Sequence, residues 1–355
     1  MWQTVTYGSA DSKGWPWELS CPGGAGVGGG DYGRGVTGQS HSATTDATTG
    51  PTTSSGRRAQ VLVLAAVAVT LLLWASAFVA IRHLGHDVPP GALSLGRLLV
   101  ASVALGVLVF RRPRTWPAKR DWPLLLLCGV GWFGVYNLAL NAAERRIDAG
   151  TSALVVQVGP IIVALLATVF LGEKMTRWLL IGMAVGFAGV VVIARGSSSG
   201  GSGDVVGVWL AILAAVTYAV GVLAQKPLLG RLPGPEVTWL ACVIGAVVCL
   251  PWSGELVTVV RESDPSTLWW IAYLGVFPTA IAFSTWAYVL ARSNAGTLTL
   301  TTFLVPFIAT LIAWALLSEV PPALTYVGGG LCIAGVLLTR RRSRPRRRPE
   351  PEPAD

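Results

Sequence analysis

Long apolar runs recur along this chain, at about 61–81, 91–110, 122–142, 149–171, 178–194, 205–225, 237–252, 268–290, 296–317 and 323–339. A hydrocarbon core ~30 Å thick is crossed by a helix of roughly 17–25 apolar residues. Nine of the ten runs contain no Asp, Glu, Lys or Arg, and the second contains Arg97 alone. Backbone N–H and C=O groups in lipid have no water to bond, so each run must satisfy its own as a helix. The predicted fold class is therefore an all-α integral membrane protein with ten transmembrane helices. The seventh run is short for a span, which leaves its ends open by several residues. Charged residues make up 13% of the chain, about half the share found in soluble domains.

Loop charges give an orientation. With ten spans and both termini cytoplasmic, the inside loops and tails carry nineteen Lys and Arg and the outside loops five. Cytoplasmic loops retain the basic residues, so the expected localisation is multi-pass in the cell membrane with both termini inside. Seven arginines between Arg340 and Arg348 account for most of the net charge of +9. Placed just after the last run, they read as a tail drawn to anionic headgroups, and nucleic acid is not an expected partner. Residues 1–58 are dominated by Gly, Ser and Thr from Gly23 to Gly56. Such a stretch buries no core and lacks the n-region and h-region of a signal peptide. A disordered tail or an over-extended start is expected there. Four of the five cysteines lie in apolar runs and none forms CxxC, so neither a disulfide framework nor a zinc site is indicated. His83 and His86 stand at i, i+3 in an outside loop, and metal binding is not expected there.

The two halves of the chain repeat each other. Ala149-Gly150-Thr151, Pro160 and Glu173 recur 146 positions later as Ala295-Gly296-Thr297, Pro306 and Glu319. The same offset maps Gly182 onto Gly328 and Gly189 onto Gly335, and an offset of 144 maps Trp74 onto Tyr218 and Arg82 onto Lys226. The expected units are 59–195 and 205–340, joined by the linker 196–204 and followed by a basic, then Pro/Glu-rich, tail at 341–355. Five spans per unit place the second copy in the membrane upside down, the inverted-repeat design of alternating-access machines.

The residues from Ala149 to Glu173, with an Ala-Gly-Thr start, a mid-run Pro160 and a closing Leu171-Gly172-Glu173, resemble the EamA domain of the drug/metabolite transporter superfamily. Gly182, Gly186, Gly189 and Arg97 also fit, and the second half repeats the set with Pro306, Ser318-Glu319 and Gly335. Ser318 in place of Gly is the departure. The resemblance covers nearly all of 59–340. It implies ten helices around a central cavity lined by spans one, three, four, six, eight and nine. It further implies export or exchange of amino acids, related metabolites or drugs.

Several side chains are candidates for that cavity. Arg97, costly inside a span, either snorkels outward, holds an anion, or pairs with Glu144 or Asp148; it cannot carry a proton. Trp74 and Tyr218 either line the cavity or pack between helices. Asn137, Asn141 and Gln157 are amides expected to face protein or water, and Thr301 and Thr302 belong to a hydroxyl-rich start of the ninth run. Pro160 and Pro306 are candidate hinges, since each frees a carbonyl four residues earlier, at Val156 and Thr302. Glu173 and Glu319 are candidate gate residues, placed unfavourably at helix C-termini and so in need of partners.

The function expected is a secondary transporter, exporter or exchanger, of small polar metabolites such as amino acids, or of drugs. The alternative is a non-transporting membrane scaffold or sensor with a basic cytoplasmic tail. No phosphate-binding loop is present and no cofactor is called for. An enzyme is not expected, because no clustered nucleophile, base or metal set is visible. With no carboxylate inside any run, a proton relay has no obvious residue. The partners expected are a small-molecule solute and lipid, with a homodimer left open.

Overall fold

The computed structural model describes residues 54–84, 87–111, 113–147, 149–197, 204–317 and 323–339. Expectations for residues 1–53, most of the linker, Asp148, Ser318, Glu319 and the basic tail lie outside the described residues. Among those described, seven helices are long and apolar enough to cross a membrane, or eight if a bent pair is one span. They are α1 (Ser54–Leu84), α2 (Pro90–Phe110), α3 (Lys119–Glu144), α5 (Arg177–Ser197), α6 (Val205–Leu228), α8 (Pro265–Leu290) and α9 (Ala295–Leu316), with the bent pair, Gly234–Val248 and Leu250–Glu262, as α7. Two shorter apolar helices, α4 (Leu154–Phe170) and α10 (Ala323–Thr339), fall on the fourth and tenth runs. The expected tail ran to residue 58, but α1 already begins at Ser54.

The departures from simple spans have local causes. In α7 the arms meet at 57° across Leu250-Pro251-Trp252. Pro251 has no N–H to continue the ladder, and the second arm carries Glu255, Arg261 and Glu262, which hid it from a search for apolar runs. The fourth run breaks at Gln157-Val158, and a new helical segment starts at Gly159-Pro160. Pro160 thus sits in a first turn, where its missing N–H costs nothing, rather than kinking a continuous helix. Gly172 has φ 66°, a left-handed conformation that ends α4 and turns Glu173 away from the helix axis. The middle of α3 (Leu127–Val135) and of α8 (Gly275–Ile281) is π-helical.

The principal packing pairs are α2 with α7, α3 with α6 and α7, α8 with α1 and α2, α4 with α6 and α9, α9 with α1, and α5 with α10. The last pair touches backbone to backbone. A Cβ on Gly182 would lie 2.6 Å from the Gly335 carbonyl oxygen, and one on Gly189 would lie 2.6 Å from that of Gly328. The largest core cluster gathers Trp132, Phe133, Phe283 and Trp286 between the halves. The flanks expose Leu72, Val103, Phe170, Trp209, Leu316 and Val327, an apolar exterior suited to lipid. This is a multi-pass helical membrane protein.

Candidate functional site

A cavity of about 80 Å³ lies between residues of both halves. Its wall is built from the later part of α1 and α3, the start of α2 and α4, and the middle of α6, α8 and α9. Six of the eight candidate binding residues line it: Trp74, Arg97, Asn137, Gln157, Tyr218 and Thr302. Asn141 and Thr301 do not. Asn141 donates to Ser94 Oγ at 3.0 Å, tying α3 to α2, and the Thr301 hydroxyl donates to the Leu298 carbonyl of its own helix at 2.7 Å.

Among the described residues, which leave out Asp148, Arg97 neither snorkels nor finds a carboxylate. It is 6% exposed, and its Nε and Nη2 donate to Thr279 Oγ1 at 3.1 and 3.0 Å. Thr279 in turn donates to the Leu274 carbonyl at 2.7 Å, so its lone pairs face the guanidinium. Glu144 influences Arg97 electrostatically but stands outside ion-pairing distance of it. Two of the five guanidinium donors are used, and the other three meet no partner among the described residues.

The two amides are each fixed by a backbone carbonyl. Asn137 Nδ2 donates to the Phe133 carbonyl at 2.8 Å, and Gln157 Nε2 donates to the Thr302 carbonyl at 2.6 Å. A carbonyl only accepts, so both amide nitrogens are committed and both amide oxygens remain for the cavity. Pro306 cannot donate to the Thr302 carbonyl, which ends the 3-10 stretch Leu300–Leu304 and accepts from the Val305 N–H as well as from Gln157. The Thr302 hydroxyl donates to the Thr299 carbonyl at 2.7 Å.

Aromatic rings make the remaining wall. Trp74 stands 5.3 Å from Phe283 and 6.3 Å from Trp132, and Trp132 stands 5.3 Å from Tyr218, all edge-on. Trp74 and Tyr218 thus pack and line at once. Among the described residues the indole N–H of Trp74 has no hydrogen-bond partner, and the Tyr218 hydroxyl lies towards Thr302. Trp132, Tyr136 and Phe283 escaped the sequence reading. Their one signal was the glycines around them: a Cβ on Gly221 would sit 2.4 Å from that of Trp132.

Glu173 is not paired with Lys174 or Arg177. Its Oε1 and Oε2 accept from the backbone N–H groups of Ala295 and Gly296 at 2.6 and 2.9 Å. A carboxylate from the first half therefore caps the start of α9 in the second, where the helix dipole favours a negative charge. Nearby, Lys226 Nζ donates to the Leu290 and Ser293 carbonyls at 2.6 and 2.7 Å, closing the end of α8. Two more links join the halves at this end: Arg231 to Asp121 at 2.8 Å, and the Thr115 N–H to Glu236 at 3.1 Å. At the other end Arg146 pairs with Asp204 at 2.9 Å, and that hydrogen bond holds the Asp204 carboxyl below the usual carboxylate range.

Apolar helices enclosing a cavity with a polar lining are the architecture of a membrane transporter. The chain belongs to the EamA-like transporter family, whose model matches residues 61–195 and again 205–341. A probable terminal-alkyne amino-acid exporter of Streptantibioticus cattleyicolor is 41% identical over 287 residues, covering 80% of this chain and 95% of that protein. A probable amino-acid metabolite efflux pump of Salmonella typhimurium is 26% identical over 287 residues, covering 76% and 92%. A solved crystal structure shares the fold, with a TM-score of 0.63 at 21% identity, covering 79% of this chain and 96% of its own.

Proposed function

We propose that the chain exports small polar metabolites of the amino-acid kind by alternating access. In this reading it crosses the cell membrane ten times, as two inverted halves with both termini cytoplasmic. The observation that carries the reading is the cavity between the halves, whose polar groups are fixed by the protein yet left with unspent bonding capacity. The relatives named as exporters and efflux pumps of amino acids or their metabolites support the same class of solute.

The α5–α10 contact supports the inverted relation. Gly182 meets Gly335 and Gly189 meets Gly328, while the sequence repeat equates Gly182 with Gly328 and Gly189 with Gly335. Each contact is the other's counterpart, as across a two-fold axis. The two helices run antiparallel, and rotation about an axis along the helices would leave them parallel. An axis across the helices, in the membrane plane, is the relation these contacts support. Exchanging the halves also maps α3–α6 onto α8–α1 and α4–α6 onto α9–α1, both of which are packing pairs.

The links at Glu173, Asp121 and Glu236 then lie on the cytoplasmic side, and the cavity lies nearer the outer face. Glu173 and its counterpart Glu319 act as gate residues, with Pro160 and Pro306 as hinges. No carboxylate lines the cavity among the described residues, which favours a facilitator or exchanger over a proton antiporter. The test is a solute-efflux screen on cells expressing the protein beside Arg97→Ala, Trp74→Ala and Pro160→Ala variants at matched abundance. Faster loss of one solute, abolished by the variants, is expected. A broad panel in which nothing moves faster would sink the exporter reading.

A further inference from the structure

The cavity has two poles of opposite hydrogen-bonding character. One is the Arg97 guanidinium, a permanent charge held by the Thr279 hydroxyl and left with three N–H donors. The other is a pair of amide oxygens, on Asn137 and Gln157, whose nitrogens are committed to the Phe133 and Thr302 carbonyls. Neither pole finds its complement in the protein among the described residues. A buried guanidinium without a counter-ion is costly, and acceptor-only oxygens beside a cavity favour a cation or strong donor. Trp74, Trp132 and Phe283 line the same cavity, their ring centroids 5.0–6.3 Å apart.

We propose that the cavity reads an α-amino acid by both its charges: Arg97 takes the carboxylate, the Asn137 and Gln157 oxygens take the ammonium, and the Trp74–Trp132–Phe283 wall takes an apolar or unsaturated side chain. This rests on the exporter reading and adds how the two charges of the solute are told apart and which residues select them. Thr279 is a positioning residue in this scheme: it touches the guanidinium and fixes which of its edges meets the solute. A planar guanidinium binds a carboxylate through paired N–H groups, which an ammonium on Lys cannot reproduce. The two-pole arrangement rejects an amide, which has no anion for Arg97, and a deaminated acid, which has no cation for the amide oxygens.

The experiment is counterflow in proteoliposomes of the full chain, with labelled L-phenylalanine and L-propargylglycine as probes. Competitors are the unlabelled amino acids, phenylalaninamide and 3-phenylpropionate. A site that bonds a charged group discriminates against ligands lacking it by about tenfold or more. In the wild type, both analogues are therefore expected to compete at least about tenfold more weakly than phenylalanine. Arg97→Met should erase the penalty on the amide but keep that on 3-phenylpropionate, and Asn137→Leu should do the reverse. Arg97→Lys should fall between.

The ligand comparison in the wild type needs no variant to fold. If both analogues compete as well as phenylalanine, the two-pole assignment is overturned while the exporter reading stands. A variant that loses flux without changing the ranking of ligands marks Arg97 as structural and also overturns it. If neither amino acid moves but another solute does, the assignment falls alone. If no solute moves at all, it falls together with the exporter reading.

Discussion

Proline at 306 cannot donate to the Thr302 carbonyl, which accepts instead from the Val305 N–H and, at 2.6 Å, from Gln157 of the other half. The need for a partner was legible in the sequence, because an orphaned carbonyl in a membrane core must bond something. Its identity was not, since Gln157 and Thr302 are 145 residues apart and no local pattern links them. Removing the donor with Gln157→Leu should cost about 0.5–1.5 kcal/mol, because the Val305 N–H still bonds the carbonyl. Pro306→Ala adds an N–H that can reach Thr302 within α9, so the same Leu substitution should cost less in that background. Thermal unfolding of the four proteins in detergent measures the coupling, and additive losses would refute the pairing. Glu173 teaches the same lesson. The sequence showed a carboxylate badly placed at its own helix end and pointed to Lys174 and Arg177, yet it caps α9 instead. Glu173→Ala should lose about 1–2 kcal/mol, as a lost N-cap does, and Glu173→Gln less, because one amide oxygen still accepts. The same unfolding assay decides; an unchanged midpoint for the Ala variant would contradict the cap.

Helix positions were largely readable from the apolar runs, and helix interruptions were not. Periodicity assumes one uniform turn, so the π-helical middles of α3 and α8 left no trace, and the second arm of α7 was lost to its charges. The aromatic wall hid for a related reason: inside a charge-free run, a Trp against a cavity and a Trp against lipid look alike. Small residues were the better guide. The Gly182-x-x-x-Gly186 spacing indicated a close helix contact, and the backbones of α5 and α10 do meet there at Gly335, with the Thr339 side chain beside Gly182 and the Phe303 ring of α9 against Gly186. At Gly189 an added Cβ would lie 2.6 Å from one backbone atom of α10 and 2.7 Å from another, whereas at Gly330 it would meet nothing within 4 Å. Gly189→Ala should therefore force the helices apart at a cost of about 1–3 kcal/mol. Gly330→Ala should be neutral or stabilising by up to about 1 kcal/mol through helix propensity. Melting temperatures of the two variants in one detergent separate the cases, and equal behaviour would mean that the seam is looser than this geometry.

At the scale of the molecule, the proposed alternating-access cycle requires that contacts between the halves break and re-form, and the duplicated sequence announced two halves without saying where they grip. The grip on the side assigned to the cytoplasm centres on α4 and the start of α9. A Cβ on Gly296 would lie 3.5 Å from that of Ala164, within the ~3.5–4.5 Å span of a disulfide. The double variant Ala164→Cys with Gly296→Cys should therefore cross-link under mild oxidant. The native cysteines among the described residues, Cys128, Cys242, Cys249 and Cys332, are buried and give little competing chemistry. In the proposed cycle, rocking of one half against the other separates α4 from α9 at this end, so that the cavity reaches the side assigned to the cytoplasm. Oxidation should then arrest flux of whichever solute the screen identifies, and reductant should restore it, while each single variant is indifferent to both. Full cross-linking with undiminished flux would mean that these helices move as one body and that the opening lies elsewhere. Failure to cross-link would instead place the two backbones farther apart than 3.5 Å between Cβ positions allows.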